Sequence, residues 1–131
     1  MQQPNVIWII SDQHRAQCLG CDGDLNVRTP HLDRLAAKGL RFHRAVSTSP
    51  ICSPARAALL TSRYPHQNGV PINGCRMSGE LPTVATAFAE HGYRTAWFGK
   101  WHVDAPHLDA APGERKYAGE YRVARERRGG F

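Results

Sequence analysis

A chain of 131 residues, 41% hydrophobic and 21% charged, has the size and composition of one globular domain and not of a disordered or membrane-embedded chain. Its formal charge of +6 divides evenly, because residues 1–111 hold 11 Lys/Arg against 8 Asp/Glu and residues 112–131 hold 6 against 3. A basic balance admits small anionic substrates, a membrane surface or nucleic acid. No apolar run nears the roughly 20 residues of a spanning helix and no groove-reading element is recognisable, so neither membrane nor nucleic acid is the expected partner.

Met1-Gln2-Gln3-Pro4 leads directly into the apolar run Asn5-Val6-Ile7-Trp8-Ile9-Ile10 without a basic leader or a small-residue cleavage site. No secretory signal is expected, and the cytoplasm is the expected compartment. Cys18, Cys21, Cys52 and Cys75 are then expected as free thiols. Cys18-Leu19-Gly20-Cys21 has zinc-knuckle spacing, but no second Cys or His pair follows at a fitting interval.

The run 5–10 is β-branched and ends in Ser11-Asp12, the pattern of a strand buried on both faces of a parallel sheet. A polar side chain just past such a strand lies where α/β proteins bind ligands. Thr29 to Gly39 reads as a helix with a Thr cap, Pro30 in its first turn and a terminal glycine. Leu40 to Val46 alternates like a strand. Ser53 to Ser62 is helical, with Pro54 near its start, and Thr83 to His91 is a further helix stopped at Gly92. Arg94 to Gly99 reads as another buried strand. The order β-α-β-α-α-β predicts an α/β fold. Three strands make a poor sheet, and nothing periodic follows His107, so the chain reads as the front part of a larger domain. Residues 1–107 would form that part, and 108–131 a basic, solvated tail.

The stretch Cys52-Ser53-Pro54-Ala55-Arg56 is the chemically pointed one. If Pro54 starts a helix, Cys52 sits at its N-terminal edge, where open N–H groups and the helix dipole favour an anion. Arg56, one turn in, carries a forked donor set suited to sulfate or phosphate oxygens, or to holding residue 52. The same residues also suit a plain capped helix with a buried cysteine and a surface arginine.

This stretch, continued by Ala57-Ala58-Leu59-Leu60-Thr61-Ser62-Arg63, resembles the C-x-P-x-R signature of the sulfatases of the alkaline phosphatase superfamily. The resemblance implies an alkaline-phosphatase-like mixed sheet flanked by helices, incomplete in this chain. It also implies that a formylglycine-generating enzyme, reading Pro54 and Arg56, oxidises Cys52 to formylglycine. Gly92-Tyr93-Arg94-Thr95-Ala96-Trp97-Phe98-Gly99-Lys100-Trp101-His102 is similar to the family's second signature, G-Y-x-T-x-x-x-G-K-x-H, which gives Lys100 and His102 catalytic and sulfate-binding roles beside Cys52 and Arg56. Taken alone, a Lys and a His at a strand end are more often surface residues. Asp12 resembles the N-terminal metal-binding aspartate. It is followed by Gln13, where the usual sulfatase has a second aspartate, a variant associated with choline sulfatases and phosphonate monoester hydrolases. Asp12, Gln13 and residue 52 would hold a divalent metal, Ca²⁺ first, with Mn²⁺ or Mg²⁺ as alternatives. Asn73 stands 21 residues after Cys52, where phosphonate monoester hydrolases place a substrate-contacting Asn. Before Gly74 it also suits a simple turn.

Ser62 departs from the usual Gly of the first signature, and the second pair of metal ligands has no counterpart here. The resemblance covers about residues 4–107. It implies a hydrolase of small-molecule or saccharide sulfate esters, or of sulfamates. In it the hydrated aldehyde at 52 attacks sulfur, the alcohol leaves and sulfate is expelled. The chain alone is expected to be inactive. The rivals are a phosphonate or phosphate monoester hydrolase, favoured by Gln13 but opposed by Lys100 and His102 where that branch tends to have Tyr and Thr, and a non-catalytic anion-binding fragment.

Overall fold

The computed structural model describes residues 3–104. The predicted tail 108–131 lies outside them. The chain divides into two units, Met1–Ala45 and Val46–Phe131.

In the first unit, helix α1 spans Pro30–Lys38. Pro30 starts it because the first-turn N–H groups have no intrahelical acceptor and a fixed φ favours the helix. Thr29 stands at the cap position as expected, yet its hydroxyl makes no cap hydrogen bond. It accepts the Gly20 N–H at 2.8 Å and donates to Asp33 Oδ1 at 2.8 Å. Asp33 Oδ1 also accepts the Cys21 N–H at 2.8 Å. These bonds fasten the 3-10 turn Gly20–Asp22 onto α1. A Cβ at Gly20 would lie 2.5 Å from Asp33 Oδ2, so a larger residue there would push the Asp33 carboxylate out of its place. Arg41 closes the turn from the other side, donating to the Cys21 carbonyl and lying 3.5 Å from Asp22.

In the second unit, helix α2 spans Cys52–Thr61. Ile51 enters it extended, and Pro54, in the first turn, forfeits no helical hydrogen bond. The helix stops at Ser62, which adopts the left-handed conformation (φ 55°) and donates its N–H to the Ala58 carbonyl at 2.8 Å. That geometry explains why glycine suits this position and why Ser62 carries a cost of about 1–2 kcal/mol. Helix α3, Pro65–Asn68, is a single turn that the sequence reading did not resolve. Helix α4 spans Val84–Glu90. Its cap is reciprocal, with the Thr83 N–H bonded to Thr86 Oγ1 at 2.8 Å and the Thr86 N–H to Thr83 Oγ1 at 3.3 Å. Helix α2 packs on both α3 and α4. Ala57, Leu60, Val70, Met77 and Val103 form the core, with Leu81, Val84, Trp97 and Trp101 against it.

The three expected strands are not paired among the described residues. Ile7 and Ile9 are 84% and 85% exposed, and Leu40, Phe42 and Val46 are likewise open. A run hydrophobic on both faces becomes a strand only when neighbours accept its N–H groups and cover its sides. The described residues supply neither. Residues 93–97 keep the strand period, half-buried and exposed in turn, without a ladder. Among the described residues the helices of the α/β reading are present, and no strand pairing of its mixed sheet occurs. No helix of the described residues is long and apolar enough to cross a membrane.

Candidate active site

Cys52 is the first residue of α2 and is half-buried. The side chain facing it comes from Asn73. Asn73 Oδ1 accepts the Ser53 N–H at 2.9 Å, and Asn73 Nδ2 lies 3.9 Å from Cys52 Sγ. Asn73 thus does from 20 residues away what a Ser or Asp cap does locally. This narrows the expected anion site at the helix start. The Ser53 N–H is taken by Asn73, Pro54 has no N–H, and the Ala55 N–H is used by the Ile51 carbonyl at 3.0 Å. The helix dipole remains, but few donors of the first turn are open.

Arg56 is 7% exposed, so it is not the surface arginine of the plain reading. Its Nη1 donates to the Lys100 carbonyl at 2.7 Å. A buried guanidinium needs acceptors to offset its lost hydration, and here one acceptor is the backbone of the second signature. The same carbonyl accepts the Trp97 indole N–H at 3.2 Å. Gly99 (φ 90°) and His102 (φ 58°) both take left-handed conformations. Lys100 and His102 therefore follow a bend at Gly99 in irregular backbone and do not stand at the end of a regular strand. Lys100 and His102 are both half-buried.

Cys52, Asn73, Arg56, Lys100 and His102 thus belong to one unit, and hydrogen bonds join the first four in two pairs at either end of α2's opening turn. Asp12 and Gln13 belong to the other unit, both exposed, with Gln13 at φ 47°. A carboxylate and an amide oxygen are hard donors of the kind Ca²⁺ or Mn²⁺ takes, but such ions want six or more oxygens. No cluster of three or more His, Cys, Asp or Glu able to hold a metal occurs among the described residues. The two donors suit a metal chemically and do not by themselves enclose one.

Two site features escaped the sequence reading. Asn73 was legible as a turn residue or a substrate contact but not as a helix cap, since no local pattern links it to Ser53. Trp97 read as an apolar strand residue, and its N–H partner is visible only in the fold.

The sulfatase family profile matches residues 4–119. The chain belongs to the sulfatase family. An ulvan-active sulfatase of Formosa agariphila is 43% identical over 95% of this chain and 24% of its own length. The crystal structure of a Bacteroides fragilis sulfatase-family protein superposes with a TM-score of 0.85 at 35% identity, covering 100% of this chain and 31% of that one. The phosphonate monoester hydrolase of Agrobacterium radiobacter gives a TM-score of 0.60 at 36% identity, over 63% of this chain and 16% of that one. The chain spans about a quarter of the length of the ulvan-active relative.

Proposed function

We propose that this chain carries the nucleophile and sulfate-binding residues of an enzyme that hydrolyses sulfate esters, small-molecule or saccharide. The observation that carries the reading is the 2.7 Å bond from Arg56 to the Lys100 carbonyl, which joins the two signatures within one unit. The 43% identity to a sulfatase active on ulvan speaks for a saccharide ester.

Cys52, converted to formylglycine by a formylglycine-generating enzyme, would supply an aldehyde whose hydrate is an oxygen nucleophile toward sulfur. The geometry suits this, because Asn73 Nδ2 faces the residue-52 side chain with an N–H that an oxygen accepts more readily than sulfur does. Lys100 brings a positive charge to the sulfate oxygens. His102 can protonate the departing alkoxide, since imidazole exchanges a proton near neutral pH. Arg56, its guanidinium engaged with backbone, orients more than it binds. Asp12 and Gln13 would contribute to a divalent metal site, Ca²⁺ before Mn²⁺ or Mg²⁺, completed by ligands outside the described residues. The proposed mixed sheet would be completed by the same remainder of the protein.

Made together with the modifying enzyme, the protein should lose about 18 Da at residue 52 as CH₂SH becomes CHO. Hydrolysis of 4-nitrophenyl sulfate should disappear in Cys52→Ala. An unmodified thiol, or activity that survives the substitution, overturns the proposal. A phosphonate monoester hydrolase is the second reading, favoured by Gln13 and by the Agrobacterium structure. Faster turnover of an aryl phosphonate than of the aryl sulfate would select it.

A further inference from the structure

His102 holds φ 58° although it is not glycine, and a side chain in that region costs about 1–2 kcal/mol unless its surroundings over-determine it. The backbone on either side is pinned. Before it, the Lys100 carbonyl accepts Arg56 Nη1 at 2.7 Å and Trp97 Nε1 at 3.2 Å. After it, the Val103 carbonyl accepts the Met77 N–H at 2.9 Å. Val103 is buried in the core, and the Trp97 and Trp101 rings meet edge to face with centroids 5.2 Å apart. A carbonyl oxygen has two lone pairs, and two charged or polar N–H donors from different segments meet at this one.

We propose that Trp97 is a positioning residue for Lys100 and His102. Its indole N–H shares the Lys100 carbonyl with Arg56 and so fixes the direction in which the Lys100 and His102 side chains leave the backbone. Neither the Arg56 bond nor ring packing can replace this. A single hydrogen bond lets the carbonyl pivot about the N···O axis, and a second donor from another direction removes the pivot. Packing of an aromatic ring holds distance but is indifferent to that rotation. Trp97 need touch nothing that reacts.

The inference rests on the reading of Lys100 and His102 as sulfate-facing groups, so its test has a readout independent of activity. Trp97→Phe keeps an aromatic ring and removes the N–H. Benzothienylalanine at 97, which keeps the bicyclic shape and lacks the N–H, guards against a packing defect. In either variant, amide exchange of residues 100–103 and of Met77 should quicken about tenfold, the scale of one lost hydrogen bond, while the amides of α2 hold their rates. In the whole protein with residue 52 converted, kcat on 4-nitrophenyl sulfate should fall about tenfold with KM within about twofold. In a Lys100→Ala background the same change at 97 should cost less than it does in the native chain, because one of the two positioned groups is gone.

Unchanged exchange in both variants overturns the inference. So does a loss at 97 that adds in full to Lys100→Ala. If the unsubstituted protein hydrolyses no sulfate ester yet exchange quickens, the functional reading fails and Trp97 remains the anchor of this segment without a catalytic purpose. If the protein is active and both variants match it, the sulfatase reading stands and the role of Trp97 falls.

Discussion

Residues 18–41 are held by polar side chains, whereas residues 52–103 are held by a buried apolar cluster. In the first region, Thr29, Asp33 and Arg41 take up the backbone N–H groups and a carbonyl of one tight turn, and α1 has no buried residue. In the second, Leu60, Val70 and Val103 are at most 2% exposed, and α2, which carries Leu60, packs on both α3 and α4. Polar pinning fixes a local shape with few residues, but it removes little apolar surface from water and adds only modest net stability. The groups proposed to meet sulfate stand in the region with its own core, where a 1 Å error in placement would be most resisted.

This contrast is most sharply broken at Leu60. Leu60→Ala should destabilise the second region by about 2–5 kcal/mol through lost burial and a residual cavity. Denaturant unfolding would measure it, and amide exchange at Gly20 and Cys21 should not change. Loss of protection in both regions together would mean that they fold as one unit. A smaller effect is expected from acid. The Thr29 hydroxyl bond, opposed by partial burial and aided by the Cys21 N–H, holds the Asp33 carboxyl below its ordinary pKa. A depressed carboxyl contributes in full above the unfolded value near about 3.9 and loses that contribution as pH falls through the lower folded value. Protection of the Cys21 amide, its exchange rate taken relative to that of an unstructured amide at the same pH, should therefore fall on acidification below about pH 4 in the native chain, with no such step in Asp33→Asn. The smallest effect belongs to the open apolar run, where Ile7→Ser should change stability by less than about 0.5 kcal/mol. A penalty above about 1.5 kcal/mol would show that residues 5–10 are packed after all.

Helix positions were legible because their signals are local. Pro30 and Gly39 bracket α1, Pro54 marks the opening of α2, and Thr83 with Gly92 brackets α4. Pairing of 5–10, 40–46 and 94–99 was not decidable in the same way, since a strand's hydrogen bonds belong to another segment. The left-handed Ser62 was half visible, as a departure from glycine whose cost only the helix end explains.

For the site, the sequence by itself determined which chemical groups exist and the order in which they come. Cys52, Pro54 and Arg56 at alternate positions, Lys100 and His102 two apart, and Asp12 before Gln13 were enough to point to the family. Tertiary structure alone decided what those groups face. Asn73 caps a helix 20 residues upstream, Arg56 donates to a carbonyl 44 residues away, and Trp97 turns its polar edge to the same oxygen. The physical reason is that side-chain identity is local, while a hydrogen-bond partner is chosen by whatever acceptor the packed core brings within about 3 Å and hides from water.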